Sequence, residues 1–157
     1  MYENCLARCI KLTGDLPKEQ RVNESMTVLL VEDPGLPRNI LVKAMSEWGC
    51  RVVTAESKEA LWNILKGGLS PELIFMDWFS SLLDCNEFCR LAKNLAYLDG
   101  VYLVVGVPRS GSSTIRNAMM AGADDFVYQP YDLDEVRVRL DIAARMIRYQ
   151  KKQIADN

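Results

Sequence analysis

An α/β fold, a five-stranded parallel sheet with helices on both faces, is what this sequence predicts, and two observations carry the prediction. Short apolar runs alternate along the chain with segments whose apolar residues recur at helical spacing. Two of those runs, Thr27-Val-Leu-Leu-Val-Glu32-Asp33 and Glu72-Leu-Ile-Phe-Met-Asp77, are apolar throughout and close on carboxylates. That pattern marks strands buried on both faces whose carboxyl ends meet a loop. Open sheets of this kind place their sites at that edge.

The elements follow in order. Residues 1–25 read as an N-terminal extension, where Cys5, Leu6, Cys9, Ile10 and Thr13 suit a short amphipathic helix ended by Gly14 and Pro17. Strand one is 27–32. Pro37 suits a first helical turn, and Ile40, Leu41, Ala44, Met45 and Trp48 give that helix its apolar face, with Gly49 as its stop. Arg51–Thr54 is a short strand, and Ser57 caps a second helix carrying Ala60, Leu61, Ile64 and Leu65 inward. The central strand ends at Asp77. Asp84 and Glu87 form a capping-box pattern ahead of Phe88, Leu91, Ala92 and Leu95. Val101–Val107 is a fourth buried strand, Pro108–Ser113 a loop, and Ile115, Ala118, Met119 and Ala121 a helix ending at Gly122. Asp125–Tyr128 is the fifth strand. Asp132 and Glu135 open a last helix with Leu133, Val136, Leu140, Ala143 and Ile147 on one stripe, and past Arg145 it outruns the domain. The folded unit is expected over 26–148, with 149–157 a helical extension or linker stub.

Composition narrows the chemistry. A chain of 157 residues, 49% apolar and 25% charged, has material for one domain with a real core. A net charge of −2 gives no electrostatic case for nucleic acid or an anionic membrane as partner. No run reaches membrane-span length and the start lacks signal-peptide character, so a cytoplasmic protein is expected. Five cysteines without Cys-x-x-Cys spacing fit reduced thiols. There is no histidine. That removes Ser-His and Cys-His nucleophile pairs and imidazole metal sites, so any chemistry rests on carboxylates, hydroxyls and backbone groups.

If the strands ending at Glu32-Asp33 and Asp77 are neighbours, three carboxylates converge and repel unless a cation joins them. Oxygen-only donors favour Mg²⁺, which keeps open positions for phosphate oxygens. Asp77, alone on the central strand, is the natural nucleophile, with Glu32 and Asp33 as metal ligands beside it.

At these residues the sequence resembles the receiver domain of two-component response regulators over about residues 26–148. The likeness rests on Val28-Leu-Leu-Val-Glu-Asp33, Leu73-Ile-Phe-Met-Asp77, Asp84-Cys-Asn-Glu-Phe88, Ala121-Gly-Ala-Asp-Asp-Phe126 and Pro130 after Gln129. It implies a flavodoxin-like sheet of order 2-1-3-4-5 and a cis bond before Pro130. It implies Mg²⁺ on Glu32, Asp33 and Asp77, with Asp77 the phosphoacceptor for a histidine kinase or phosphotransfer protein. An effector domain or protein would read the result, and the chain itself would not be an enzyme.

Two positions depart from the family pattern. Gly106 stands where a Ser or Thr is usual, and Gln129 where a Lys pairs with the phosphoryl oxygens. Phe126 holds the switch-aromatic position without a phenol. Weakened switching is therefore expected, with Arg109, Ser110 and Ser112 as possible compensators in the loop after strand four. Phe79 is expected to shield an acyl phosphate from water and slow its hydrolysis, and Trp78 to gate the pocket. A phosphate-independent interaction module is the alternative. A nucleotide-binding enzyme is disfavoured, since Asp33-Pro-Gly-Leu-Pro37 has no glycine-rich cradle and no Walker lysine. By resemblance, a homodimer would use helix 4, strand 5 and helix 5, with Met119, Met120, Val136, Arg137 and Arg139 on that face. Arg145–Gln153 reads as the start of a helix leading to an effector or a dimer partner.

Overall fold

The computed structural model describes residues 26–95, 98–110 and 112–157. The expected helix around Cys5–Thr13 lies outside them. The strands are β1 (Thr27–Val31), β2 (Arg51–Thr54), β3 (Leu73–Asp77), β4 (Tyr102–Pro108) and β5 (Asp125–Gln129). All pair in parallel, in the order β2-β1-β3-β4-β5. Between them run α1 (Leu36–Glu47), α2 (Lys58–Lys66), α3 (Cys85–Ala92) and α4 (Ser112–Ala121), and α5 (Leu133–Ala155) follows β5.

Strand side chains alternate between faces, and each face builds its own core. Leu29, Val31, Ile74, Met76, Leu103, Val105 and Val107 pack under α2, α3 and α4, against Leu61, Leu65, Phe88, Cys89, Ala118 and Ala121. Val28, Leu30, Leu73, Phe75, Tyr102, Val104 and Val127 pack under α1 and α5, against Leu41, Met45, Val136, Leu140, Ala143 and Ile147. Two layers of helix over β1, β3 and β4 explain why those three strands are buried and apolar over nearly their whole length, while the edge strands β2 and β5 keep Arg51, Thr54, Asp125 and Gln129.

Helix ends follow their sequence signals. Ser57 accepts from the Ala60 N–H at 3.1 Å, and Asp84 from the Glu87 N–H at 3.0 Å. Asp132 accepts from the N–H groups of Asp134 and Glu135. Removing that last cap with Asp132→Ala is expected to cost about 1 kcal/mol, read as a lower urea midpoint at unchanged slope. Gly49, at φ 91°, supplies the left-handed turn that releases α1 into β2.

Several placements differ from expectation, among them Leu133, put on the inward stripe of α5 but exposed. Ile40 and Leu91, assigned to buried faces, are exposed, because Leu41, Ala44 and Met45 already fill the α1 contact and Phe88, Cys89 and Ala92 fill that of α3. Val136 is fully buried beneath α5 and has no part in any outer face of that helix; Met119 and Met120 are exposed as expected. Beyond Ile147, α5 continues in solvent, tied by Lys151 to Glu72 at 2.8 Å. Glu72 also accepts from the Thr27 N–H, which fixes the extension to the amino edge of the sheet.

Candidate functional site

β1 and β3 are adjacent, so Glu32 and Asp33, just past β1, arrive beside Asp77 at the end of β3. Glu32 and Asp77 line a cleft of about 370 Å³ with Gln129, Pro130 and Tyr131 on one side and Leu36, Pro37, Ile40 and Leu41 on the other. The Gln129–Pro130 bond is cis.

Each acid has its own partners. Asp33 accepts from the hydroxyls of Ser80 (2.9 Å) and Ser81 (3.0 Å) and from the Ser81 N–H. Asp77 Oδ1 accepts from the Phe79 N–H at 3.0 Å. Glu32, only 6% exposed, accepts from the Tyr131 hydroxyl at 3.0 Å. Burial raises the Glu32 carboxyl to about 7, with the charges of Asp77 and Asp33 adding to it and the Tyr131 hydrogen bond opposing. Among the described residues, no group of three or more cysteine, aspartate and glutamate side chains stands close enough to share a metal ion. The expected convergence is thus one of strand ends, with Asp33 held by the Ser80-Ser81 turn and Glu32 held by Tyr131. In kind the donors fit a hard divalent cation: all three are carboxylates, and Glu32 and Asp77 line a cleft to which no described lysine or arginine contributes. Asp33 and Ser81 are not buried, so the Ser81 hydroxyl can exchange its bond for water, whereas the buried Ser80 hydroxyl gives up its Asp33 acceptor at a cost.

Gly106 and Phe126 lie on opposite faces of the sheet. Phe126 belongs to the α2–α4 side, edge-on to Tyr128 at 5.4 Å. A Cβ at Gly106 would point to the other side and run into the hydroxyl and ring of Tyr131. The β4 residues that share Phe126's face are Leu103, Val105 and Val107, with Val105 its register partner, and none of them carries a hydroxyl. Gln129 donates its amide to the Tyr131 oxygen at 2.9 Å. Burial and the neighbouring Glu32 push the Tyr131 phenol up, so it keeps its proton and remains a donor.

The compensators are placed elsewhere. Arg109 stacks 4.9 Å over the Tyr128 ring, and neither it nor Ser110 nor Ser112 lines the Asp77 cleft. Phe79 is 63% exposed, so its ring does not roof Asp77. It lies instead with Trp78, Ser80 and Asn117 along a second, more polar cleft. The thiol of Cys85 donates to the Asp77 carbonyl at 3.1 Å, and burial raises it to about 12, so it is not a nucleophile here. Sequence reading missed Tyr131; the one available signal was an aromatic with a hydroxyl directly after Gln129-Pro130.

No family model matches the chain. Among curated proteins it is 34% identical over 119 residues to the KDP operon transcriptional regulatory protein KdpE of Escherichia coli, covering 75% of this chain and 51% of that one. The chain spans about half the length of the curated relatives it matches. Among solved structures, a two-component response regulator from Clostridium difficile matches with a TM-score of 0.68 at 19% identity, over 77% of this chain and 97% of that one. The receiver domain of the sensor histidine kinase PA1611 from Pseudomonas aeruginosa, solved with magnesium in its active-site cleft, matches with a TM-score of 0.65 at 18% identity, over 76% and 98%.

Proposed function

We propose that this chain, a receiver domain of the two-component response regulators, accepts a phosphoryl group on Asp77 and alters a partner-binding surface in response. The observation that carries the reading is the place of Asp77: the last residue of the central strand, half-buried, on a cleft shared with Glu32. The donor would be a histidine kinase or phosphotransfer protein, and the reader an effector domain or protein. An Asp77 carboxylate oxygen attacks phosphorus, the P–N bond of the donor phosphohistidine breaks, and the imidazole leaves with the electron pair. Glu32, Asp33 and Asp77 would hold Mg²⁺, which when bound supplies positive charge against the phosphoryl oxygens. The chain acts as a stoichiometric acceptor in solution and not as a turnover enzyme.

Switching is weak in this reading because Gln129 brings no charge and spends its amide on Tyr131. Arg109, committed to Tyr128, does not make up the loss. A homodimer through α4, β5 and α5 would use exposed Met119 and Met120. A second reading, a phosphate-independent interaction module, is favoured by one observation: Tyr131 joins Glu32 and Gln129, which commits the Gln129 amide to the phenol and not to the cleft beside Asp77.

Intact-mass measurement after incubation with acetyl phosphate and Mg²⁺ separates them. One phosphoryl group is expected on the wild type and none on Asp77→Asn. An unmodified wild type would favour the second reading.

A further inference from the structure

Tyr131 is held from four directions. Its hydroxyl donates to Glu32 Oε2 at 3.0 Å and accepts from Gln129 Nε2 at 2.9 Å. Its ring stands edge-on to Phe75, centroids 5.5 Å apart. The hydroxyl end of the ring occupies the space a Cβ of residue 106 would need, so only glycine there admits the phenol in this position. Glu32 is buried, and the one side-chain hydrogen bond to it among the described contacts comes from a residue 99 positions away in sequence.

We propose that Tyr131 is the positioning residue of this receiver's site: seated in the niche left by Gly106, its hydroxyl aims the Glu32 carboxylate into the Asp77 cleft and so sets the affinity for the divalent cation. The inference rests on the Asp77 reading above and assigns to this site a residue outside the acid set. A ligating carboxylate whose remaining lone pairs are engaged by an outer partner is oriented by it, and loss of such partners typically lowers metal affinity about 10- to 100-fold. Gly106 then has a reason of its own. The missing hydroxyl at that position is the space requirement of another hydroxyl, carried by Tyr131 from the far side of β4. Gln129, too short and uncharged to serve as an ion-pair partner, completes the arrangement as the donor that orients the phenol. Gly106, Gln129 and Tyr131 thus behave as one unit.

The test is a Mg²⁺ titration of Tyr131→Phe, which keeps the ring and deletes the hydroxyl. Trp78 fluorescence reports binding, and the rate of phosphorylation by acetyl phosphate is followed by intact mass. The Mg²⁺ concentration for half-maximal response is expected to rise about tenfold, with a smaller drop in rate at saturating Mg²⁺. A merely structural role would not split the two parameters. Gly106→Ala, which displaces the phenol, is expected to raise the Mg²⁺ requirement in the same direction. In a Glu32→Gln background, Tyr131→Phe is expected to add nothing. An unchanged Mg²⁺ requirement in Tyr131→Phe, or independent and additive effects with Glu32→Gln, overturns the assignment. So does a wild type whose Trp78 does not respond to Mg²⁺. If Mg²⁺ binding weakens in Tyr131→Phe while the wild type takes up no phosphoryl group, the phosphoacceptor reading fails and the role of Tyr131 stands.

Discussion

Phe75→Ala is expected to lower the free energy of unfolding by about 3–5 kcal/mol, among the largest losses open to a single substitution here. Phe75 is fully buried on the central strand, in the layer under α1 and α5. Neighbours on β1 and β4 are themselves locked in parallel pairing, so little can collapse into the space a phenyl leaves. A domain of this kind has only about 5–15 kcal/mol in hand, which makes Phe75→Leu the companion variant if alanine leaves too little folded protein. Phe88→Ala provides the contrast. Phe88 is equally buried, but on the other face, packed against Trp62 at 5.9 Å. Both alanine variants should lose comparable stability in urea denaturation. Only at position 75 should the Mg²⁺ requirement also change, because that ring backs Tyr131. Equal effects of the two variants on Mg²⁺ would show that the site feels general loosening and not the Phe75–Tyr131 contact.

What could be read in the sequence, and what could not, divides along chain distance. The sheet, its helices and their caps follow from local signals: apolar runs closing on acids, Pro37 in a first turn, Ser57, Asp84 and Asp132 as caps. Asp77 and its acidic neighbours follow from the same signals, since the ends of parallel strands must share an edge. Side-chain direction does not. Which way Gly106 faces depends on counting along β4 from its register with β3 and β5, and that register is set by the whole sheet. Asp33 is turned by serines 47 and 48 residues away. Tyr131 reaches Glu32 across most of the domain. Helical spacing placed Ile40 inside, yet one turn of α1 faces the open cleft and not the sheet, and periodicity cannot tell a core face from a cleft wall.

Glu32 makes stability depend on pH in a direction opposite to that of most paired carboxylates. An ordinary salt-bridged acid has its pKa lowered by folding and stabilises the protein above its unfolded value. Glu32 is raised from 4.5 to about 7, by burial first and then by Asp77, and the Tyr131 hydroxyl offsets only part of this. The folded state therefore holds the Glu32 proton more tightly than the unfolded chain does. Between those two values the native protein binds more protons, so stability falls as pH rises through the window and levels off above it. With about 1.4 kcal/mol per unit, the full effect is on the order of 3 kcal/mol. Other groups add their own pH dependence, and a difference between two proteins removes it. In EDTA, the melting temperature of the wild type is expected to fall relative to that of Glu32→Gln as pH is raised from about 5 to 8. The glutamine amide can still accept from Tyr131 but carries no charge, so the variant should be the more stable protein at the alkaline end. Parallel melting curves across that range would mean that Glu32 is solvated well enough to ionise normally. The buried, phenol-bound carboxylate on which the site is built would then be the wrong description.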